Sequence, residues 1–154
     1  MSEYVFSIEP FEDSYPELEP LYREHYAETQ ERLERDGAPI PDYKPRLMEY
    51  VRASRRGDLF TWVVRLDGEA VGYCNIYMTN DMHNGQLIAQ EDAIFMNKAH
   101  RRGAGTKLVK AIINDLRPRG VKRILITPVT DLRVAKIWER VGFKPVSSLM
   151  VYML

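Results

Sequence analysis

The 154-residue sequence predicts an α+β domain: a mixed, mostly antiparallel central sheet of about six or seven strands flanked by helices. Three observations lead there. Period-two, strand-like segments and segments with three- and four-residue helical periodicity follow one another along the chain, without a repeat, a low-complexity tract or a linker. Two β-branched and aromatic segments are separated only by Asp67-Gly68, a strong signal for an antiparallel hairpin. The last third then interleaves strands with helices, which makes the sheet mixed. The whole chain, residues 1–154, reads as a single domain of ordinary size.

Each element has its own signature. In residues 3–9, Tyr4, Phe6 and Ile8 turn to one side, as in a half-buried first strand. From Pro16 to about Arg35, Leu18, Leu21, Tyr22, His25, Tyr26 and Thr29 recur at helical spacing among Glu, Arg and Gln. Residues 36–41 are rich in turn formers, and Leu47, Tyr50 and Val51 mark a shorter helix ending near Gly57. Residues 59–66 and 69–79 form the hairpin. Residues 80–85 are a second turn, and residues 86–96 another strand. Leu108, Val109, Ile112, Ile113 and Leu116 line one face of a helix stopped by Gly120. Residues 123–127 are a short apolar strand. Asp131 caps a helix carrying Val134, Ile137, Trp138 and Val141, closed by Gly142, and residues 150–154 end the chain as a strand.

Composition narrows the function. The 22 basic side chains balance the 22 acidic ones, so no overall basic field favours a nucleic acid or an anionic membrane, and an anion site must be local. The single Cys74 has no partner in the chain for a disulfide or a cysteine metal cluster, and the three histidines lack metal spacing, so no metal is expected. No apolar run approaches a membrane span, and the amino terminus lacks the pattern of a signal segment. A cytoplasmic protein is the expectation.

The chemistry concentrates in residues 100–106, HRRGAGT, between a strand and a helix. The first turn of a helix has unpaired backbone N–H groups and a positive dipole end, which together favour phosphate. Gly103 and Gly105 would let a pyrophosphate approach the backbone, Arg101 and Arg102 add charge, and Thr106 adds a hydroxyl. A glycine turn with solvated arginines has the same composition, so the context decides. Gly105 is followed by Thr106-Lys107, the reverse of the order a triphosphatase loop needs. A dinucleotide fingerprint would need a third glycine and a later acidic residue, which Leu108 and Thr127 do not supply.

With these residues in view, the chain resembles the GNAT superfamily of acyl-CoA-dependent N-acyltransferases, whose signature is Gln or Arg, two residues, Gly, one residue, then Gly or Ala. HRRGAG matches it with His100 in the Gln/Arg place and Ala104 between the glycines. Residues 131–143 (DLRVAKIWERVGF) resemble the family's second block, with Asp131 in place of Asn and Trp138 in place of Tyr. The resemblance implies acetyl-CoA as co-substrate, held by residues 100–106 with Asp131 and Trp138 nearby. It also implies a pantetheine arm beside Ala93, Ile94 and Phe95, where two parallel strands splay apart. Capping by Asp131 and core packing by Trp138 are the readings from the residues alone.

Acyl transfer to an amine needs a base, a stabilised thioester oxygen and a neutralised thiolate. Glu91 and Asp92 are adjacent on a strand and expected to face opposite sides. Glu91, sharing its face with Ala93 and Phe95, is expected to be the base, directly or through water. The indole of Trp138 donates a hydrogen bond but no proton, so water or another group such as Tyr152 would protonate the thiolate, or catalysis would be weak. His25 and Tyr26, and His83 from a turn, are candidates for the acceptor pocket. The expected function is acetyl transfer from acetyl-CoA to an amine of a small molecule or peptide. The alternative is an inactive module that binds acyl-CoA or a partner. Neither nucleic acid nor membrane is expected as partner; a homodimer is possible.

Overall fold

The computed structural model describes residues 2–128 and 132–154. Five strands, β1 (Tyr4–Glu9), β2 (Leu59–Leu66), β3 (Glu69–Asn80), β4 (Leu87–Met96) and β5 (Arg123–Leu125), lie side by side in chain order. The first four are antiparallel, and β5 runs parallel to β4. Four helices complete the fold: α1 (Phe11–Arg35), α2 (Leu47–Arg56), α3 (Ala104–Leu116) and α4 (Leu132–Arg140). The β2–β3 hairpin turns on Asp67 and Gly68 at φ 52° and 85°, the pair of left-handed residues that a two-residue turn between twisted strands needs.

Period-two alternation gives the sheet two apolar faces. Trp62, Val64, Cys74 and Ile76 pack on Leu108, Ile112 and Leu116 of α3. Leu59, Val63, Tyr73 and Phe95 pack on Phe11, Leu18 and Tyr22 of α1 and on Ala53 of α2. Each large apolar side chain buried in this way contributes about 1.5–3 kcal/mol. This burial also explains why α1 begins five residues before the expected Pro16. Pro16 and Pro20 both lie inside the helix, and an interior proline costs about 3 kcal/mol. The buried stripe Phe11, Ser14, Tyr15, Leu18, Leu21 and Tyr22 anchors the turns on both sides of them.

The expected strand at residues 150–154 does not form, and among the described residues the sheet has five strands rather than six or seven. Residues 143–154 carry no regular structure, and Met150 and Tyr152 are 90% and 87% exposed. An apolar run becomes a strand only where a neighbouring backbone supplies the ladder, and among the described residues none pairs with the tail. At the other end of the same edge, β5 pairs with Ile88, Ala89 and Gln90 of β4. From Glu91 onward β4 keeps only its β3 ladder, and the gap beyond β5 is where the site forms.

Candidate active site

A β-bulge shapes the centre of the site. Asn75 lies opposite Ala93 and Ile76 opposite Glu91, so Asp92 is an extra residue in β4, and a bulge of this kind re-aims the side chains around it. This corrects the expected alternation. Glu91 shares a face with Ile76, which belongs to the α3 core, and not with Ala93 and Phe95, which belong to the α1 side. The carboxylate on the α1–α2 side is Asp92, which accepts a hydrogen bond from the Tyr50 hydroxyl of α2 at 3.0 Å. Both acids nonetheless line one cavity of about 280 Å³, bounded by α1, β4, the loop after β5 and α4.

Burial dominates the electrostatics. Removal from water pushes the Glu91 carboxyl up to about 7; the Thr127 backbone N–H, 3.4 Å from its Oε2, and the nearby charge of Asp92 act in opposite directions on it. Burial also raises the Asp92 carboxyl, against the pull of the Tyr50 hydroxyl. A carboxylate near 7 exchanges its proton in the neutral range, as a general base must.

The wall opposite is aromatic. Tyr22 stacks on Tyr73 with ring centroids 3.9 Å apart, and the Tyr22 hydroxyl accepts from the Asn75 amide at 2.6 Å. His25 also lines the cavity: its Nδ1 is hydrogen-bonded to the Tyr73 hydroxyl at 2.9 Å, and its ring stacks on Phe95. Burial lowers the His25 pKa to about 4, so this imidazole is neutral at pH 7. Tyr26 reaches the cavity edge and donates to the Pro41 carbonyl at 2.6 Å. Trp138, 2% exposed, lines the cavity and meets Phe143 edge-on at 4.8 Å.

The HRRGAGT loop divides into anchors and open positions. The His100 Nδ1 is hydrogen-bonded to the Tyr4 hydroxyl at 2.9 Å, tying the loop to β1. Arg101 donates to the Met96 carbonyl and to Glu28 of α1, and its guanidinium lies over the Phe95 ring. Ala104 is buried in the α3 core. These three hold the loop in place. Gly103, at φ 85°, caps α3 without a side-chain hydrogen bond, so no N-cap side chain accepts from the first-turn N–H groups. A Cβ on Gly105 would stand 3.8 Å from Ile137 Cδ1, so Gly105 faces the gap between α3 and α4. Arg102 is exposed and Thr106 half-buried beside them. Ala93 and Ile94 line the cavity.

One expected position falls elsewhere, and another is not described. His83 sits in the β3–β4 turn with its side chain 94% exposed beside Asp81, and it does not line the cavity. Asp131 lies outside the described residues. Sequence reasoning missed Asp92 and Tyr50 as a pair, Tyr73, and the Thr127 N–H. The four-residue spacing of Tyr22 and Tyr26 and the period-two spacing of Tyr73 and Tyr77 hinted at an aromatic wall. Nothing in the sequence revealed the bulge.

The fold recurs in solved structures. A ribosomal-protein-alanine N-acetyltransferase from Brucella melitensis biovar Abortus 2308 is similar with a TM-score of 0.71 at 16% identity, over 97% of this chain and 99% of that one. A Trypanosoma brucei acetyltransferase is similar with a TM-score of 0.64 at 15% identity, over 99% and 100%. An aminoglycoside N-acetyltransferase in complex with CoA gives 0.70 at 15% identity, over 100% and 96%. No curated protein sequence matches the chain. The profile of the acetyltransferase (GNAT) family matches residues 10–143. With most of the chain inside that match, and with the glycine-capped helix and strand splay in place, the protein belongs to the acetyltransferase (GNAT) family.

Proposed function

We propose that this chain transfers an acetyl group from acetyl-CoA to an amine by direct attack, with Glu91 as the base. The observation that carries the reading is the cavity itself: a carboxyl raised to about 7 lies in it where β4 and β5 part, between the aromatic wall and α4. Acetyl-CoA supplies the thioester. Arg102, Gly103, Gly105 and Thr106 bind its phosphates at the α3 N-terminus, and Ala93 and Ile94 flank its arm. Glu91, ionised, takes the proton that the acceptor nitrogen must lose. Tyr73 and His25 hold the wall in place as a neutral pair.

The test is thiol release from acetyl-CoA with a panel of amines, repeated on Glu91→Gln. That substitution keeps the shape and removes the basicity. Turnover is expected to fall by about two to four powers of ten, while CoA still raises the melting temperature. For the parent, activity is expected to rise with pH through the neutral range as Glu91 loses its proton. An unchanged rate in Glu91→Gln removes it from the mechanism.

One observation favours a second reading, a module that binds acyl-CoA without turnover. Trp138, buried against Phe143, occupies the place where the family resemblance puts a phenol, and indole gives up no proton near neutral pH. Thermal stabilisation by CoA with no thiol released from any amine in the panel would decide for it.

A further inference from the structure

The cavity's polar groups say which amine it suits. Five tyrosines line it, and each hydroxyl already has a protein partner. Tyr22 accepts from Asn75, Tyr26 donates to Pro41, and Tyr43 is hydrogen-bonded to Tyr15. Tyr50 donates to Asp92, and Tyr73 is hydrogen-bonded to His25. Each hydroxyl keeps only part of its hydrogen-bonding capacity. With Tyr22 and Tyr73 stacked on each other, Tyr50 on Phe11 and the Arg23 guanidinium over Tyr43, a ligand meets the ring surface these contacts leave open. Aromatic faces attract a cation by about 0.5–1 kcal/mol when exposed and about 2 kcal/mol when desolvated. A polyhydroxylated ligand would lose hydrogen bonds to water that these hydroxyls, each with one partner already, replace only in part.

Charge and size agree. Glu91 and Asp92 are acidic, and among the described residues lining the cavity there is no lysine or arginine. A ligand carboxylate beside its amine would therefore be repelled. The volume of about 280 Å³ is at the small end for ligand pockets, which run about 300–1,000 Å³, and it suits one stem better than a multi-ring sugar. The two acids also differ in their partners: Asp92 is held toward the tyrosines by Tyr50, while Glu91 meets the backbone of the loop after β5.

We propose that the acceptor is an unhindered primary ammonium on an apolar stem, anchored by the Asp92–Tyr50 pair and enclosed by tyrosine rings. This rests on the acetyltransferase reading for its purpose but not for its test. The stem could belong to a free arylalkylamine or to a lysine side chain in a peptide, which present the same chemistry.

The experiment measures equilibrium binding to the CoA-loaded protein by calorimetry, followed by thiol release from acetyl-CoA. The probes are 2-phenylethylamine, phenylalanine, kanamycin and a capped lysine tripeptide. The expected order places 2-phenylethylamine or the lysine peptide at least about tenfold tighter than phenylalanine and kanamycin, and whichever of the first two is tighter identifies the source of the stem. In Asp92→Asn the KM of the preferred amine should rise about 10- to 100-fold with kcat changed far less, and Asp92→Glu should restore part of the loss. Glu91→Gln should act mainly on kcat. If kanamycin or phenylalanine binds as tightly as the two apolar-stem amines, or if Asp92→Asn, folded, leaves amine binding unchanged, the proposal is overturned. If the binding order holds but no probe releases thiol, the acetyltransferase reading fails and the site stands as one that binds this class of amine.

Discussion

Burial acts on Glu91 and Asp92 in the same direction, and their partners separate them. Asp92 is held by a phenol on a helix, Glu91 by one backbone N–H on a loop. The residue better suited to moving a proton is the one whose carboxyl lies near 7. At this scale the sequence showed both acids but not their roles, because a bulge is a relation between two strands, and no local pattern in residues 86–96 encodes it. His83 failed for the related reason that a turn residue's position depends on register: the turn it occupies is closed by Asp81 and Gln86 at the opposite end of β4 from the loop of residues 100–106. Trp138 makes a separate prediction. Its ring is buried and packs edge-on against Phe143, and its N–H cannot act as an acid. Trp138→Phe should therefore change kcat by less than about threefold while costing about 1–3 kcal/mol of stability through the lost volume. Steady-state rates with a denaturation curve check both, and a collapse in kcat with the fold intact would show that the indole takes part in the reaction.

The elements explain how the loop of residues 100–106, the proposed phosphate site, is held. His100 and Arg101, which looked like ligand contacts in the sequence, hydrogen-bond to β1, β4 and α1, and this leaves the following glycines in one conformation. Gly103 needs its freedom, since φ 85° disfavours any residue with a Cβ by about 1–2 kcal/mol. Gly105 does not: it is helical, and an added Cβ makes only ordinary contact with Ile137. Gly105→Leu should thus fold as well as the parent or slightly better, because glycine costs about 1 kcal/mol within a helix. The longer side chain would fill the gap between α3 and α4. CoA at one hundred times its Kd, worth about 2.7 kcal/mol to the parent, should then give Gly105→Leu no thermal stabilisation. A variant that CoA still stabilises as much as the parent would place the ligand elsewhere. The hairpin, the helices and the glycine cap were legible because each depends on residues near in sequence. The tail was not: its apolar run specifies a strand only if a partner edge is present.

Across the whole molecule, the cavity lies where the sheet's two cores meet, and the groups facing it make stability depend on pH in opposing ways. Glu91 and Asp92 have raised pKa values in the fold, so the folded protein holds more protons than the unfolded chain above the ordinary carboxylate pKa. Stability from Glu91 falls as pH rises from about 4.5 to about 7 and is flat above that, and Asp92 acts in the same direction. His25 is lowered to about 4; the unfolded chain binds its proton first, so this contribution is full above about 6.5 and is lost as pH falls toward 4. The two slopes oppose each other through the acidic range, and near neutrality only the Glu91 slope is left. Glu91→Gln isolates it. The amide can still accept from the Thr127 N–H, while the buried charge is gone. The variant should exceed the parent by about 1–3 kcal/mol at pH 8, discounted for solvent at the cavity mouth, or about 2–4 °C in Tm per kcal/mol. The advantage should shrink from pH 7 downward and vanish below about pH 4, where the parent's carboxyl is protonated in both states. Denaturation curves at closely spaced pH values measure this directly. A gap that stayed constant from pH 5 to pH 8 would mean that Glu91 carries no shifted proton, and the base assignment would lose its electrostatic foundation along with the stability argument.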